Sequence, residues 1–361
     1  LAYGLDPYST YLTAEQVREY NAGNKDNVVG IGAELSQVAS YLYVIAPMKG
    51  SPADQAGINP GDIIEYIDNK ATRDISLYDA KQLLNGPAGT EVKLRVLRAN
   101  SSPLTVTVKR GSSRAAAAEG RMEAGRVGIL RINSLADGEA NEIRARLQDL
   151  LKQGAQKIVI DVRDTAGGSL TEAVAVANLF IKDGVLAQTI GREGKALKTF
   201  TADPKATIFS GPVVAMIDTG TAGAAEIIAS ALSERNRGQV VGEKSFGAGT
   251  EQQLFTLRGG DGLLLTTVKW ASSNGKPFLG EDRAHSGVAP NVEVKGQEVT
   301  DAVDPDDLTG NDDDAIKQPE QGNEKRDVTP APSTKPAVED LQLKKALELL
   351  KDKPASQQRA A

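Results

Sequence analysis

Cysteine is absent from this 361-residue chain. That removes disulfides, thiolate nucleophiles and cysteine-ligated metals together. Histidine occurs once, at His285. No H-x-x-x-H pair or His/carboxylate cluster exists, so no metal site and no cofactor are expected. A Ser-His-Asp triad would have to run through His285, whose setting, Asp282-Arg283-Ala284-His285-Ser286, reads as an exposed polar loop. Aromatics make up only 4%, which leaves core packing to Val, Ile, Leu and Ala. No apolar run approaches the roughly 18 residues of a membrane-spanning helix. Basic patches are also missing: the net charge is −6, with Asp-rich clusters near the C-terminus, and nucleic acid is set aside as a partner. The sequence starts at Leu1 without Met, inside what reads as a helix-and-loop segment, so a targeting segment is expected upstream.

What is present divides into two domains and appendages. Residues 1–26 hold Leu5-Asp6-Pro7-Tyr8-Ser9-Thr10-Tyr11-Leu12 and a short polar helix signal. Residues 27–110 carry β-like runs, among them Leu42-Tyr43-Val44-Ile45, Ile63–Ile67, Val92–Leu97 and Leu104–Val108. Between them Ser76 caps a short helix with Leu77, Ala80, Leu83 and Leu84 at helical spacing. Residues 111–124 read as a small-residue linker. From 125 to 297 the pattern turns to strand, helix, strand, helix: Arg126–Ile132, Ala140–Gln153, Ile158–Val162, Glu172–Phe180, Val213–Ile217 and Ala224–Ser233. That alternation argues for a layered α/β core. Residues 298–336 are acidic and Pro-rich, with too little apolar surface to repay ordering. An amphipathic helix pattern returns over 337–353 through Leu341, Ala346 and Leu350, suited to docking on the body, on a partner or on a second copy.

The motifs, taken in order, resemble the C-terminal processing peptidase family. They are Leu5–Leu12, then Val29-Gly30-Ile31-Gly32 and Ser51–Asp62 (S-P-A-x-x-A-G-I-x-P-G-D), then Ile160–Gly168 (I-D-V-R-x-x-x-G-G), Gly220–Ile227, Val241–Gly249 and Gly287–Asn291. The resemblance implies a mainly-β PDZ domain joined to a layered α/β core of the crotonase-like ClpP/peptidase kind. It implies an extracytoplasmic setting, such as a bacterial periplasm or cell envelope, and protein C-termini or unfolded tails as partners. In the PDZ part, Gly30, Ile31 and Gly32 would present backbone N–H groups to a terminal carboxylate. Ala33 and Leu35 would lie on the strand that a peptide joins, with Leu77 and Leu84 on the opposite groove wall.

Family members place a nucleophilic Ser in a motif resembling G-S-A-S-A-S-E, a Lys base in F-G-K-G, and a Gln after it that orients the Lys. In this chain the matching positions are Gly223, Ala248 and Gln252. Hydrogen and methyl side chains neither attack a carbonyl nor take a proton. Gly167, Gly168 and the N–H of Ala224 match the oxyanion segments, although Asp164-Thr165-Ala166 departs from the family's N-x-P there. Two readings stay open. One is a peptide-binding pseudo-peptidase. The other is an active serine-type endopeptidase using displaced groups (Thr221 or Ser245 with Lys244), or an inactivated variant of an active enzyme. A third idea is an assembly role for the tail and terminal helix.

Overall fold

The computed structural model describes residues 5–23, 28–73, 75–99, 101–112, 118–296 and 339–351. The N-terminal segment forms strand β1 (Thr10–Leu12) and helix α1 (Ala14–Ala22). Thr13 and Gln16 start α1 as a reciprocal capping box.

The first domain contains β2 (Val28–Val29), β3 (Ala33–Val38), β4 (Tyr41–Pro47), α2 (Pro52–Gln55), β5 (Ile63–Ile67), β6 (Lys70–Ala71), α3 (Leu77–Leu84), β7 (Gly86–Pro87), β8 (Glu91–Leu97) and β9 (Leu104–Lys109). Its sheet runs β3-β4-β5-β8-β9, all antiparallel, with β3 at one edge. Ser76 caps α3 as expected, accepting from the Asp79 N–H at 3.0 Å. Leu77, Ala80 and Leu84 then turn inward against Ile31, Leu35, Val44 and Val92.

The second domain contains β10 (Glu119–Glu123), β11 (Val127–Arg131), α4 (Glu139–Lys152), β12 (Lys157–Asp161), α5 (Leu170–Asn178), β13 (Val185–Ile190), β14 (Ala196–Thr201), β15 (Val213–Ile217), α6 (Ala224–Glu234), β16 (Gln239–Gly242), β17 (Thr250–Thr256), β18 (Gly262–Ala271) and β19 (Val292–Glu293). Its main sheet runs β10-β11-β12-β15-β16-β19, parallel except for β10. Alternate residues face opposite ways. Leu130, Ile158, Ile160, Ala215 and Val240 pack under α4, α5 and α6. Ile129, Val159, Val214, Met216 and Val241 face the other side, where the last helix, α7 (Leu341–Leu349), covers them. The near-continuous apolar runs noted in the sequence follow from this double coverage.

Helix α7 is held at its start. Arg163 donates to both oxygens of Asp340, at 3.0 and 2.9 Å, and the Gln342 amide donates to the Val294 carbonyl at 2.9 Å. The terminal helix therefore docks on the body of its own chain. A second sheet, β1-β18-β13-β14 with β17 on β18, ties the N-terminal segment to the core. Most of these strands escape a periodicity reading, because their buried positions do not alternate cleanly with apolar type. The linker expected over 111–124 is shorter than expected: Glu119–Glu123 is an edge strand paired with β11. The acidic stretch 298–336 lies outside the described residues.

Ala346 is fully buried against the sheet. An Ala346→Arg substitution should undock α7, lowering stability by about 1–3 kcal/mol and exposing the Ile129/Val159/Met216 face. A urea midpoint and binding of an apolar dye check this; neither would change if α7 contributed nothing.

Candidate functional site

The two sequence positions that matter most meet beneath one buried carboxylate. Gly223 caps α6 with φ +66° and ψ −114°, a conformation that favours glycine, and its N–H donates to Glu226 Oε2 at 2.7 Å. The Ala248 N–H donates to the same oxygen at 2.9 Å. Glu226 Oε1 accepts from the Ser245 hydroxyl at 2.5 Å, and Ser245 Oγ accepts from the Val288 N–H at 2.7 Å. One side chain therefore clasps the loop before α6 to the loop after β16. Glu226 is fully buried, and burial, opposed by these donors, pushes its carboxyl up to about 7. The sequence reading passed over Glu226; its signal was a glutamate three residues after a helix cap, the far half of a capping box.

The oxyanion expectation does not hold in this arrangement. The turn after β12 carries Gly167 (φ +75°) and Gly168 (φ +91°). The Gly167 carbonyl faces α6 and accepts the Ala224 N–H at 3.2 Å. An oxyanion hole needs donors converging on an open point; here the Ala224 donor is already met by a backbone carbonyl. A Cβ added at Gly223 would lie 3.4 Å from that carbonyl oxygen. The turn is held from below as well, by the Ala222 N–H on Thr165 O (3.0 Å) and the Thr165 hydroxyl on Ile132 O (2.7 Å).

The displaced pair is not assembled either. Thr221 is fully buried, with its hydroxyl on Val162 O at 2.9 Å and in contact with Asp218 Oδ1 at 3.0 Å. Lys244 points to the outer loop, donating to Ala284 O at 2.5 Å and Arg283 O at 3.2 Å. Ser245 is committed to Glu226. Gln252 does not face Ala248: its amide donates to the hydroxyls of Thr250 (2.7 Å) and Thr266 (3.2 Å). Thr266 continues to Asp6, which also holds Ser9, so Gln252 belongs to a polar seam with the N-terminal segment. His285 is exposed and pairs with its loop neighbour Asp282. Asp218 is a second carboxyl held above its usual range, by burial first and then by the nearby Asp164 charge. Among the described residues no group of three or more His, Cys, Asp or Glu is arranged to hold a metal ion.

Above the clasp lies the sheet of the first domain. In β4 the Leu42 and Val44 side chains enter their own core. Tyr43 and Ile45, with Ile63 from β5, face the other way and bury Ala222, Phe246 and Ala248. Tyr43 stacks on Phe246 with ring centroids 5.6 Å apart, while Arg283 lies over the same Phe246 ring at 4.1 Å. Ala248 keeps only 7% of its surface. Tyr8 joins the seam through a hydrogen bond to Ser36 of β3, and burial holds its hydroxyl well above the usual tyrosine range. Ala248 therefore lies under an apolar cover, and Gly223 is also buried.

The groove of the first domain looks different. The carbonyls of Gly30, Ile31 and Gly32 are taken from inside, by the N–H groups of Gly111 (3.2 Å), Ala53 (2.8 Å) and Met48 (2.8 Å), the last joined by the Ser51 hydroxyl. In a trans peptide the following N–H points opposite to its carbonyl. The amides of Ile31, Gly32 and Ala33 are therefore turned outward, at the start of edge strand β3. A Cβ at Gly30 would meet Asn85 Oδ1 at 2.8 Å, which sets this loop beside the C-terminal end of α3. Leu35, Leu77 and Leu84 lie in the apolar cluster below. The structure thus brings together all the residues expected for peptide binding.

An antiparallel domain with an open edge strand, seated on a layered α/β core, defines the class: a PDZ-bearing protein on a serine-peptidase scaffold. The family model for Peptidase family S41 matches residues 126–294, and a PDZ domain model matches residues 43–98, beginning after the Gly30–Gly32 loop. A "Probable CtpA-like serine protease" of Staphylococcus aureus (strain COL) is 34% identical over 291 residues, covering 80% of this chain and 57% of the relative. "Carboxy-terminal processing protease CtpA" of Bacillus subtilis (strain 168) is 31% identical over 271 residues, covering 75% and 58%. The solved photosystem II D1 C-terminal processing protease superposes with a TM-score of 0.71 at 26% identity, covering 80% of this chain and 78% of that one. The chain belongs to the C-terminal processing peptidase family. It spans a little under three-fifths of the length of these curated relatives.

A carboxyl whose folded-state pKa lies above its unfolded value binds its proton more tightly in the fold. Its stabilising contribution is present below pH 4.5 and is lost as pH rises to about 7. Stability should therefore fall across that window by about 3 kcal/mol through Glu226, with Asp218 acting in the same direction. Glu226→Gln, which resembles the protonated acid, should flatten the slope. Urea midpoints at pH 5 and 7.5 test this; an unchanged slope in the variant would assign the titration elsewhere.

Proposed function

We propose that this chain binds the free C-termini of polypeptides through its PDZ groove and does not cleave them. The observation that carries the reading is the contrast between two places in one molecule. The groove presents outward-turned amides beside the apolar cluster of Leu35, Leu77 and Leu84. The cleft has lost nucleophile and base, has its Ala224 donor engaged by Gly167, and lies beneath Tyr43, Ile45 and Ile63. An active enzyme built on Thr221 and Lys244 is disfavoured by the separate bonds those side chains make. The working compartment proposed with this reading is extracytoplasmic, on the strength of the family and of a cysteine-free sequence.

The test uses an unstructured peptide ending in an apolar residue, in free-acid and amidated forms. Fluorescence anisotropy should detect binding of the acid and at least a tenfold loss on amidation, while mass spectrometry finds no cleavage of either. Turnover of the peptide by the unmodified protein would overturn the reading. A Gly223→Ser/Ala248→Lys double variant should also remain inactive, because a side chain at 223 meets an unfavourable φ and the Gly167 carbonyl. Recovery of proteolysis in that variant would mean that the turn and the cover rearrange readily.

A further inference from the structure

The PDZ groove carries a charge that the reading above leaves unused. Lys81, on α3, pairs across the groove with Glu34, on β3, at 3.6 Å; both side chains are about two-fifths exposed or slightly less. Three residues along β3, the Gln37 amide donates to the Ile75 carbonyl, just before α3. These two crossings set the geometry. Moving from Glu34 to Gln37 along the strand corresponds to moving from Lys81 back to Ile75 on the helix side, so β3 and α3 run antiparallel along the groove, with the carboxylate loop at the start of β3 and the end of α3.

A peptide that joins β3 with its terminal carboxylate on the amides of Ile31, Gly32 and Ala33 has its register fixed. Its last side chain faces the apolar cluster of Leu35 and Leu84. In a strand, alternate side chains face the same way, so the next one to face α3 is two residues upstream, about 6.6 Å further along. On α3 that distance corresponds to about four residues, which leads from Leu84 to the level of Ala80 and Lys81. Ala80 is fully buried. The side chain that reaches out at this level is Lys81.

Resting on the proposed PDZ function, we infer that Lys81 is a specificity-determining residue that selects C-termini with an acidic side chain two positions before the last residue. Glu34 is its resident counter-ion and holds the ammonium over the empty groove. An incoming Asp or Glu takes that place, whereas an incoming Lys or Arg meets a like charge. Leu77, one turn further along α3, offers apolar contact to the stem of the same side chain. Glu34 also lies against the core, since its Oε2 would stand 3.1 Å from a Cβ at Gly167. It is therefore retained in the test variants.

The experiment compares three fluorescent free-acid peptides identical except for Glu, Gln or Lys at the third position from the end, together with the amidated Glu peptide. At low salt the Glu peptide should bind about three- to tenfold more tightly than the Lys peptide, with Gln between, and the spread should shrink in 0.5 M salt. Lys81→Glu should reverse the order while preserving loss of binding on amidation, and Lys81→Met should abolish the spread. Equal affinities for all three peptides, with amidation still deleterious, would overturn the selectivity and leave the PDZ function standing. Binding indifferent to amidation would remove the carboxylate site itself, and the selectivity with it.

Discussion

The arrangement depends on one strand being apolar on both faces. Leu42 and Val44 belong to the core of the PDZ domain, whereas Tyr43 and Ile45 belong to the contact with the peptidase-like core. Fully burying side chains of this size stabilises by about 1.5–3 kcal/mol each. The contact is dry and apolar, closed by the Tyr43–Phe246 stack, rather than a set of exposed ion pairs that salt would screen. A sheet facing solvent on one side would alternate apolar and polar residues. Here the alternation is missing because the second face is not solvent: it packs on Ala222, Phe246 and Ala248 of the second domain.

Much of this was legible in the sequence. The unbroken run Leu42-Tyr43-Val44-Ile45 marks a strand buried twice over, and Ile158–Val162 carries the same mark in the core. In the fold, Gly223 lies at the start of α6, Ala248 in the loop after β16, the glycine turn after β12 and Gly30–Gly32 just before β3. What the sequence hid was orientation. Whether Gly167 turns its N–H toward the site or its carbonyl toward the Ala224 N–H is decided by peptide-plane directions that no side chain encodes. The same holds for Lys244: a strand-end spacing from Ala248 placed it near the site, and only the carbonyls of Arg283 and Ala284 reveal that it points elsewhere. Glu226 was hidden for another reason, since a glutamate near a helix start reads first as a cap.

Glu226 holds together the two loops that carry Gly223 and Ala248. Its two oxygens receive N–H groups from the Gly223 and Ala248 loops and the hydroxyl of Ser245. None of these bonds involves the side chain at 223 or 248. Substitution at those two positions therefore removes chemistry and leaves the frame intact, which is why the family fold remains recognisable at about a third identity to its relatives. The cost is a carboxyl taken out of water, and the raised pKa is its signature.

The missing side chains and the closed cover are physically linked. A lysine at position 248 would place an ammonium against Tyr43, Ile45 and Ile63, and desolvating an unpaired charge costs several kcal/mol. The Ala248 amide already uses one Glu226 oxygen, and Ser245 uses the other, so the nearest carboxylate is largely committed. A lysine there would favour its own neutral form. An alanine meets the same apolar face without penalty, and a glycine at 223 accepts both the positive φ and the close Gly167 carbonyl.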